Sequence, residues 1–563
     1  MSENFDYFNR INFDLLERIP LTSKKILEVG CGAGAMAMAF KHRCPNCEYI
    51  GIEQSPEACL TAKERLDDLL IGDVEGDLEL PNNLDCLIYG DVLEHLKDPW
   101  GCLNKHVEKL NDSGTLIACI PNAQHWSMLY QLIQGKWQLN DEGLFDKTHL
   151  RWFTLENIKD LITSSGLYLI EIKPRVFNTN AIDDFVSRMS PALSNFGVNK
   201  KDFIQGVSPL QYVIRAVKEK KKRIQINYLK VDLDVQGLSK SRMEGSLKSL
   251  STIPNVNYIN SKMNQFTISK SYDNSIKVLQ FYRPIFNYHK FLPSLKNIIQ
   301  NDYLLVIDFD DHPDIIKDKK NLEFTLKCCH AIHTTNEYLA NIIKQYNSEV
   351  YIFENNVMSI NPKRINKEVQ KIKVFFGALN RENDWKPWID TINNAISKNP
   401  NQWHFHVIHD KLFYESINLP SEQKSFTPVC TYEQYLQIMT KCDVSFMPLQ
   451  KNKFNQCKSD LKAVQAASNS LVPLSTPVVY NNNFVNKKTA AFFTTNEELL
   501  QILNSWSENP ENMRQIGKNA QEYVASNRLY CYQINKKIES YYSLWERREQ
   551  ISKDIFERIV DIK

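Results

Sequence analysis

The stretch ILEVGCGAGAMAMAFKHRCPNCEYIGIE, from Ile26 to Glu53, decides the fold of the first third of the chain. Apolar runs stand at both of its ends, and between them the backbone passes through three closely spaced glycines: Gly30, Gly32 and Gly34. This order predicts a strand, a sharp turn, a helix whose first N–H groups are free, and a second parallel strand. An acidic side chain such as Glu53, at the end of the second strand, can accept two hydrogen bonds from a ribose diol. The stretch therefore predicts a βαβ unit that binds a nucleoside.

The kind of nucleoside is not decided by the glycines alone. The pattern that begins at Gly30 also fits the dinucleotide fingerprint G-x-G-x-x-A. However, Glu28 stands two residues before that glycine, and two further acids, Asp73 and Asp91, fall near the ends of later strands. A carboxylate at these positions repels a pyrophosphate and attracts an ammonium group. The acids favour a methionine-like nucleoside over a dinucleotide.

Further motifs follow the glycine turn: GDVE at 72–75, YGDVLEHLKDP at 89–99, PNAQHWSMLYQLIQGKW at 121–137 and FDKTHLRWFT at 145–154. Together with EVGCGAG at 28–34 and the acid Glu53, they resemble the class I S-adenosylmethionine-dependent methyltransferases over roughly residues 20–175. The resemblance implies a Rossmann-like α/β domain with S-adenosyl-L-methionine as its cofactor. It also implies that the cofactor site is formed by Glu28, Gly30, Gly32, Gly34, Glu53, Asp73 and Asp91, with Asp73 near the adenine amino group.

A methyl transfer to a hydroxyl group benefits from a base that takes the hydroxyl proton. His149 lies in FDKTHLRWFT, on the stretch that closes over acceptors in related enzymes, and His95 lies after the fourth predicted strand. We prefer His149 to His95, and we expect Asp91, at the mouth of that strand, to share the catalytic site. Either histidine could instead be structural, held by backbone partners.

Composition narrows the function classes for the whole chain. At 563 residues the chain is too long for one core and suggests three or four domains. The formal charge of +2 gives no electrostatic argument for a nucleic-acid partner. The N-terminal residues lack a signal-peptide pattern and no window is long and apolar enough to span a bilayer, so we expect a cytoplasmic protein. The 13 cysteines have no framework spacing and should be reduced.

No metal site is expected from the sequence. Cys44 and Cys47 form a C-x-x-C, but no second pair follows at the spacing of a zinc finger. The acids of VIDFDDHP, Asp308, Asp310 and Asp311, resemble the metal-binding D-x-D of another glycosyltransferase fold. They are interpreted as acceptor-side or structural residues.

Domain boundaries follow from shifts in pattern. The methyltransferase domain is expected at 1–175, followed by a linker at 176–223 that ends in the basic run RAVKEKKKR. A basic run can bind nucleic acid or an anionic membrane, but a short one is more often a solvated linker, with peripheral membrane contact left possible. Strands and helices alternate again from residue 224, and a second such series opens at Lys371. Two α/β halves, 224–365 and 366–563, are therefore expected.

Four motifs in this second part carry another resemblance: FFGALNREND at 375–384, CDVSFMPL at 442–449, FNQCKSDLKAVQAA at 454–467 and NAQEYVASNR at 519–528. They resemble GT-B glycosyltransferases of the polysaccharide-assembly kind, which are built from two Rossmann-like halves. The resemblance implies an acceptor half at 224–365, a nucleotide-sugar half at 366–563 and a nucleotide sugar as donor substrate. After a glycine turn at Gly377, Arg381 and Lys386 have the spacing by which the family places two cations against the donor pyrophosphate.

Further donor-site residues are expected at the start of the helix in FNQCKSDLKAVQAA: Lys458, Ser459, Asp460 and Gln465. Many relatives have glutamate at the position of Gln465, where it binds the donor ribose, and a second acid where this chain has Cys457. An amide accepts a hydrogen bond without a charge, which weakens donor binding by about 1–2 kcal/mol.

These observations predict a bifunctional enzyme, an S-adenosylmethionine-dependent sugar O-methyltransferase joined to a GT-B glycosyltransferase. Its acceptor would be a glycan, a lipid-linked glycan or a glycoprotein in surface-glycan, polysaccharide or protein-glycan biosynthesis. The alternative keeps the methyltransferase and makes the GT-B part a non-catalytic glycan-binding module. A nucleic-acid methyltransferase with a basic linker is disfavoured by the nearly balanced charge.

Overall fold

Three β-sheets organise the part of the chain that the structure describes. The structure is a computed structural model, and it describes residues 8–230, 240–263, 266–268, 274–361 and 371–562. Two units are formed, the first from Met1–Lys41, Pro45–Lys221 and Ser251–Asn255, and the second from His42–Cys44, Lys222–Leu250 and Val256–Lys563. Among the described residues, none of the helices has the length and apolar character needed to cross a membrane.

Seven strands form the sheet of the first unit: Lys25–Val29 (β1), Glu48–Glu53 (β2), Asp68–Ile71 (β3), Leu84–Gly90 (β4), Leu110–Pro121 (β5), Tyr168–Val176 (β6) and Pro209–Val217 (β7). Their order is β3-β2-β1-β4-β5-β7-β6, and all pairings are parallel except those of β7, which runs antiparallel to both neighbours. The strand order reverses beside β1, which pairs with β2 on one side and β4 on the other. Ligands of open parallel sheets bind outside the carboxyl ends of the strands at this reversal.

The helices of the first unit pack around this sheet: Phe13–Leu16 (α1), Ala35–Lys41 (α2), Pro56–Arg65 (α3), Pro99–Val107 (α4), Trp126–Ile133 (α5), Leu155–Ser164 (α6), Thr179–Asn195 (α7) and Lys200–Val207 (α8). Their starts follow local sequence signals. The Asp98 side chain accepts from the Gly101 N–H before Pro99 opens α4, and Thr154 forms a capping box with Asn157 at α6.

The segment 176–223 is not a linker, and this prediction is wrong. Most of it forms α7, α8 and β7, and β7 fills the position between β5 and β6. The basic run even begins inside β7, where the buried Arg215 contacts Glu171 of β6 with its guanidinium 2.9 Å from the carboxylate. A buried ion pair of this kind turns a residue that looks solvated in the sequence into part of the sheet.

Two six-stranded parallel sheets form the second unit. The strands of the first are Ile224–Lys230 (β8), Val256–Lys262 (β9), Ile276–Tyr282 (β10), Tyr303–Asp308 (β11), Ala331–Thr334 (β12) and Val350–Ile352 (β13). Those of the second are Ile372–Gly377 (β14), Trp403–Ile408 (β15), Lys424–Thr427 (β16), Val444–Phe446 (β17), Val472–Ser475 (β18) and Ala491–Phe492 (β19). The first sheet has the order β13-β12-β11-β10-β8-β9 and the second has the order β16-β15-β14-β17-β18-β19. Most residues of β10, β11 and β14 are buried, as expected of parallel strands covered on both faces.

Helices alternate with these strands: Gly245–Ser251 (α9), Tyr288–Gln300 (α10), Lys319–Lys327 (α11), Glu337–Ile343 (α12), Glu382–Trp385 (α13), Ile389–Lys398 (α14), Lys411–Ser416 (α15), Tyr432–Met439 (α16), Lys453–Gln456 (α17), Leu461–Ser468 (α18), Asn496–Glu508 (α19), Pro510–Asn527 (α20), Ile534–Glu546 (α21) and Arg548–Ile559 (α22). The predicted boundary between the halves, at 365 and 366, lies outside the described residues. The second unit is thus an α/β unit with two doubly wound parallel sheets.

Candidate functional site

The glycine turn after β1 borders a cavity of about 810 Å³ in the first unit, here called the first cavity. Gly30 and Gly32 have left-handed backbones, with φ of 68° and 54°. A β-carbon on Gly30 would lie 2.6 Å from Cγ2 of Val92, and one on Gly32 would lie 3.0 Å from the carbonyl oxygen of Phe8. Only glycine therefore fits both the turn and its close neighbours.

Six of the seven residues predicted to bind the cofactor line the first cavity: Glu28, Gly30, Gly32, Glu53, Asp73 and Asp91. Gly34 is not among the described residues that line it. Gly34 lies one residue before α2, and a β-carbon there would lie 3.3 Å from Cβ of Arg65 on α3. Its role is to let α2 and α3 approach.

Glu28 is a buried acid at the floor of the first cavity. Its carboxylate accepts a hydrogen bond of 2.8 Å from the hydroxyl of Tyr49. Burial is the largest influence that raises the pKa of Glu28, the Tyr49 hydrogen bond acts in the opposite direction, and the charge of Glu53 also raises it. Together they bring the pKa to about 8. Among the described residues no cation lies within 4.0 Å of this carboxylate. Glu28 therefore lacks a positive partner until a ligand supplies one.

Glu53, at the end of β2, is held by backbone N–H groups. Gly32 donates to one carboxylate oxygen at 2.8 Å, and Gln54 and Ser55 donate to the other at 2.9 and 2.8 Å. Each carboxylate oxygen has two lone pairs, so the oxygen that accepts from Gly32 keeps one of them for a further donor. The arrangement fixes the carboxylate while leaving one oxygen able to accept from a ribose hydroxyl.

Asp91 projects from a left-handed turn after β4, with φ of 58°. Its carboxylate accepts a hydrogen bond from the side-chain amide of Gln211 on β7, and Gln211 in turn accepts from Arg175 on β6. Burial is the largest influence on the pKa of Asp91 and raises it. Arg175 also lines the cavity. Sequence reasoning missed Gln211 because it assigned β7 to a linker, and it did not single out Arg175, the last residue of the predicted domain.

The two candidate histidines occupy different positions. His95 lines the first cavity, and its Nδ1 lies 3.0 Å from the Thr148 hydroxyl. His149 is not among the described residues that line the cavity; it is buried behind His95, with ring centroids 4.7 Å apart. Burial lowers the pKa of His149. The geometry therefore favours His95, the second choice from the sequence, as the residue that faces an acceptor.

Glu94 is a buried acid that the sequence did not single out. Its backbone carbonyl accepts from the N–H groups of Leu150 and Arg151 and so fixes the FDKTHLRWFT segment. One carboxylate oxygen lies 4.0 Å from Nε2 of His149, and the other has no hydrogen-bond partner. Burial raises the pKa of Glu94 well above its ordinary value. Glu94, His95 and His149 place one ligand atom each within 4.8 Å of one another, a grouping that could hold a metal ion.

A second cavity, of about 210 Å³, lies in the second unit at the carboxyl ends of several strands. Phe376 and Phe446 reach it from β14 and β17, the neighbouring strands at which the order of that sheet reverses. Tyr282 and Asp310 reach it from the ends of β10 and β11 of the other sheet. The cavity is thus formed where both sheets of the unit end.

Five cations line the second cavity: Arg242, Arg283, Arg381, Lys458 and Lys462. Three of the predicted donor-site residues, Arg381, Lys458 and Ser459, line this cavity. Gly377, at the end of β14, has an ordinary backbone, and the turn is made by Asn380, whose φ is 53°. A β-carbon on Gly377 would lie 2.5 Å from the ring of Tyr435, which explains the glycine.

Four predicted donor-site residues, Gly377 and three others, are not among the described residues that line the second cavity. Lys386 is exposed on a short 3₁₀ turn after α13. Asp460 forms a buried bidentate pair with Arg528. Gln465 is buried and donates its amide to the hydroxyl of Tyr432 at 2.5 Å.

The N-terminal residues match a family of known proteins. Residues 5–172 match the family described as "Methyltransferase domain". A ubiquinone biosynthesis O-methyltransferase of Cereibacter sphaeroides is 24% identical over 173 residues, which cover 29% of this chain and 68% of that protein. The mitochondrial ubiquinone biosynthesis O-methyltransferase of Schizosaccharomyces pombe is 32% identical over 109 residues, covering 18% of this chain and 39% of that protein.

Solved structures show more distant likenesses. An S-adenosylmethionine-dependent methyltransferase of Thermotoga maritima, described as a possible histamine N-methyltransferase, covers 38% of this chain and 94% of its own, at 18% identity and a TM-score of 0.27. Anabaena HepE, solved with UDP and glucose, covers 57% of this chain and 99% of its own, at 14% identity and a TM-score of 0.38. From its family match and its curated relatives, the N-terminal part of the chain is a class I S-adenosylmethionine-dependent methyltransferase domain.

Proposed function

We propose that the first unit transfers a methyl group from S-adenosylmethionine to an oxygen of a sugar, and that the second unit transfers a sugar from a nucleotide sugar. The observation that carries the first half is the convergence of Glu28, Glu53, Asp73 and Asp91 on one cavity beside the glycine turn. The bound cofactor supplies an activated methyl group on a sulfonium centre. The methyl group and the transferred sugar would be parts of the same glycan.

Each acid of the first cavity has a distinct task in this proposal. Glu28 receives the ammonium group of the methionine part, Glu53 accepts from a ribose hydroxyl, and Asp73 lies toward the adenine. Asp91 and His95 face the remaining space, where the acceptor hydroxyl must lie in line with the methyl group. His95 is placed to hold the hydroxyl proton, and its contact with Thr148 orients the ring.

Binding of S-adenosylmethionine to the full chain, measured by calorimetry, tests the first half. We expect saturable binding that weakens at least about tenfold in Glu53→Ala, because a charge-assisted hydrogen bond to the ribose is lost. Glu64→Gln, an exposed acid on α3, is the matched control and should bind as the wild type does. Equal binding in all three proteins would contradict the assignment.

Support for the second half comes from the cations that line the second cavity at the strand ends of both sheets. Fixed positive charges stabilise a departing nucleoside diphosphate, because they need no reorganisation as charge develops on it. Arg381 is held by Asp384 and Asn455 at 3.1 and 3.0 Å, so its position is set before a ligand arrives. We place it against the donor diphosphate.

A non-catalytic GT-B module is the second candidate for this unit. It is favoured by the position of Gln465, which is buried against Tyr432, and by Cys457, which is fully buried and carries no charge at a position where relatives have an acid. A panel of uridine, guanosine and thymidine diphosphate sugars separates the candidates. Release of nucleoside diphosphate in the presence of a glycan acceptor, lost in Arg381→Ala, supports transfer, whereas glycan binding without release supports the module.

A further inference from the structure

The charges around the second cavity do not balance. Four of its five cations have a carboxylate partner: Arg242 pairs with Asp308 at 2.9 Å, Arg283 with Asp310 at 2.5 Å, Arg381 with Asp384 at 3.1 Å and Lys458 with Asp311 at 2.8 Å. The fifth cation, Lys462, has no carboxylate within 4.0 Å among the described residues. One positive charge is therefore left without an anion at the cavity wall.

Lys462 lies on α18 and is held in place by the backbone of β14. Its Nζ donates a hydrogen bond of 2.8 Å to the carbonyl oxygen of Gly377. An ammonium group has three donors, so two of them stay available for a ligand. Since Lys462 lines the cavity beside Arg381 and Lys458, those donors belong to the same cluster of positive groups.

Lys386, the lysine that the sequence predicts for the diphosphate, lies elsewhere. The preceding residue, Trp385, occupies the buried position and donates from its indole to Asp410 at 2.8 Å. This packing leaves Lys386 exposed. Of the two lysines that line the cavity, Lys458 is paired with Asp311, so Lys462 is the one that takes the place predicted for Lys386 beside Arg381.

We propose that Lys462 is the cation that receives the diphosphate of the donor, and that the donor supplies the anion that this group lacks in the free protein. The inference rests on the proposed glycosyl transfer in the second unit. It assigns the second cavity to a diphosphate-containing ligand and predicts that the ligand changes the protonation of Lys462.

The surroundings of Lys462 explain that change. Burial is the largest influence that lowers the pKa of Lys462, the charges of Arg381 and Lys458 act in the same direction, and Asp384 opposes them. Together they bring the pKa to about 8. Tyr480 also lines the second cavity, and burial raises its pKa. A fraction of the protein thus carries neutral Lys462 near pH 8, and a bound diphosphate restores the proton because an adjacent anion stabilises the ammonium form.

Calorimetry on the full chain tests the inference with nucleoside diphosphate sugars and with inorganic pyrophosphate as ligands. Lys462→Met should weaken binding by about ten- to hundredfold, the effect expected on losing a hydrogen bond from a charged group to an anion. Lys398→Met, an exposed lysine on α14, is the matched control and should bind normally. Lys386→Met should have a much smaller effect than Lys462→Met.

Proton uptake gives a second readout that does not depend on the stability of any variant. At pH 8 to 8.5, binding to the wild type in buffers of different ionisation enthalpy should show net uptake of a proton. Lys462→Arg keeps a permanent charge, so it should retain binding and lose the uptake.

The outcomes distinguish this inference from the proposed function. If a nucleotide sugar binds Lys462→Met as tightly as the wild type, the inference is wrong and the proposed transfer stands. If pyrophosphate alone binds, with Lys462-dependent proton uptake, the diphosphate site stands and sugar transfer falls. If neither ligand binds the folded wild type, both are overturned.

Discussion

The two cavities of this chain are built on the same kind of strand end and have opposite charge deficits. In the first cavity the buried acid Glu28 has a hydroxyl partner, and among the described residues no cation accompanies it. In the second cavity Lys462 has a carbonyl partner, and among the described residues no carboxylate accompanies it. Because an unpaired charge is costly in a site partly shielded from water, each cavity is complementary to a ligand that carries the opposite charge. The sign of the charge that lacks a partner in each cavity thus indicates the sign of the charge on its ligand.

Reversing the charge of Glu28 or of Lys462 should have the largest effect on ligand binding. We expect Glu28→Lys to abolish S-adenosylmethionine binding, by about a hundredfold or more, since an ammonium would face the ammonium of the ligand. Donor binding should be unchanged in that variant. Lys462→Glu should abolish donor binding and leave S-adenosylmethionine binding unchanged. Calorimetry with both ligands measures all four combinations, and a variant that loses both ligands would contradict the separate assignments.

The pH dependence of S-adenosylmethionine binding tests whether Glu28 loses a proton when the ligand binds. Since the pKa of Glu28 is raised to about 8, its carboxyl group is mostly protonated at pH 6 and must lose the proton when an ammonium binds. Affinity for S-adenosylmethionine should therefore rise by up to about tenfold per pH unit between pH 6 and 8 and level off above it. Buffer-dependent calorimetry should show proton release, the reverse of the uptake in the second cavity.

Glu28→Gln is the matched control for this dependence. The amide resembles the protonated acid in shape but cannot titrate, so the slope of affinity against pH should disappear. A slope that persists in Glu28→Gln would assign the titration to another group of the first cavity.

A smaller effect is expected on the stability of the protein without ligands. The folded pKa of Glu28 lies above its value in the unfolded chain, so the stability contributed by this group is present at low pH and is lost as pH rises through about 8. The melting temperatures of the wild type and Glu28→Gln should therefore diverge by a few degrees between pH 5 and 8, in favour of the variant at the higher pH. Thermal unfolding followed by circular dichroism measures this, and parallel pH profiles would contradict the raised pKa.

The residues that could be predicted from the sequence are those fixed by local chain geometry. The glycine turn, Glu28 and Glu53 stand at set distances from a strand end, and a strand-turn-helix pattern is enough to bring them together. Lys462 and Lys386 show the limit, because which lysine faces the cavity depends on how a helix packs. Trp385 is buried beside Lys386, and the spacing of residues in the sequence does not predict this burial.

Gln211 shows a different limit. It contacts Asp91, which lines the first cavity, from β7, whose neighbours β5 and β6 both precede it in the chain. Pairing of this kind is non-local, so nothing in the segment itself says where the strand will be inserted. A polar segment followed by a basic run therefore indicated a domain boundary.

The insertion of β7 between two earlier strands also constrains how the chain is made. A growing chain that has emerged only as far as residue 176 contains β5 and β6 but not the strand that joins them. Until residues 209–217 leave the ribosome, the edge of β5 stays open, and open strand edges are templates for aggregation. Since domains fold as units during synthesis, the first unit can close only after most of the segment that reads as a linker has been translated. Truncation at residue 175 would therefore yield a sheet that lacks β7 between β5 and β6.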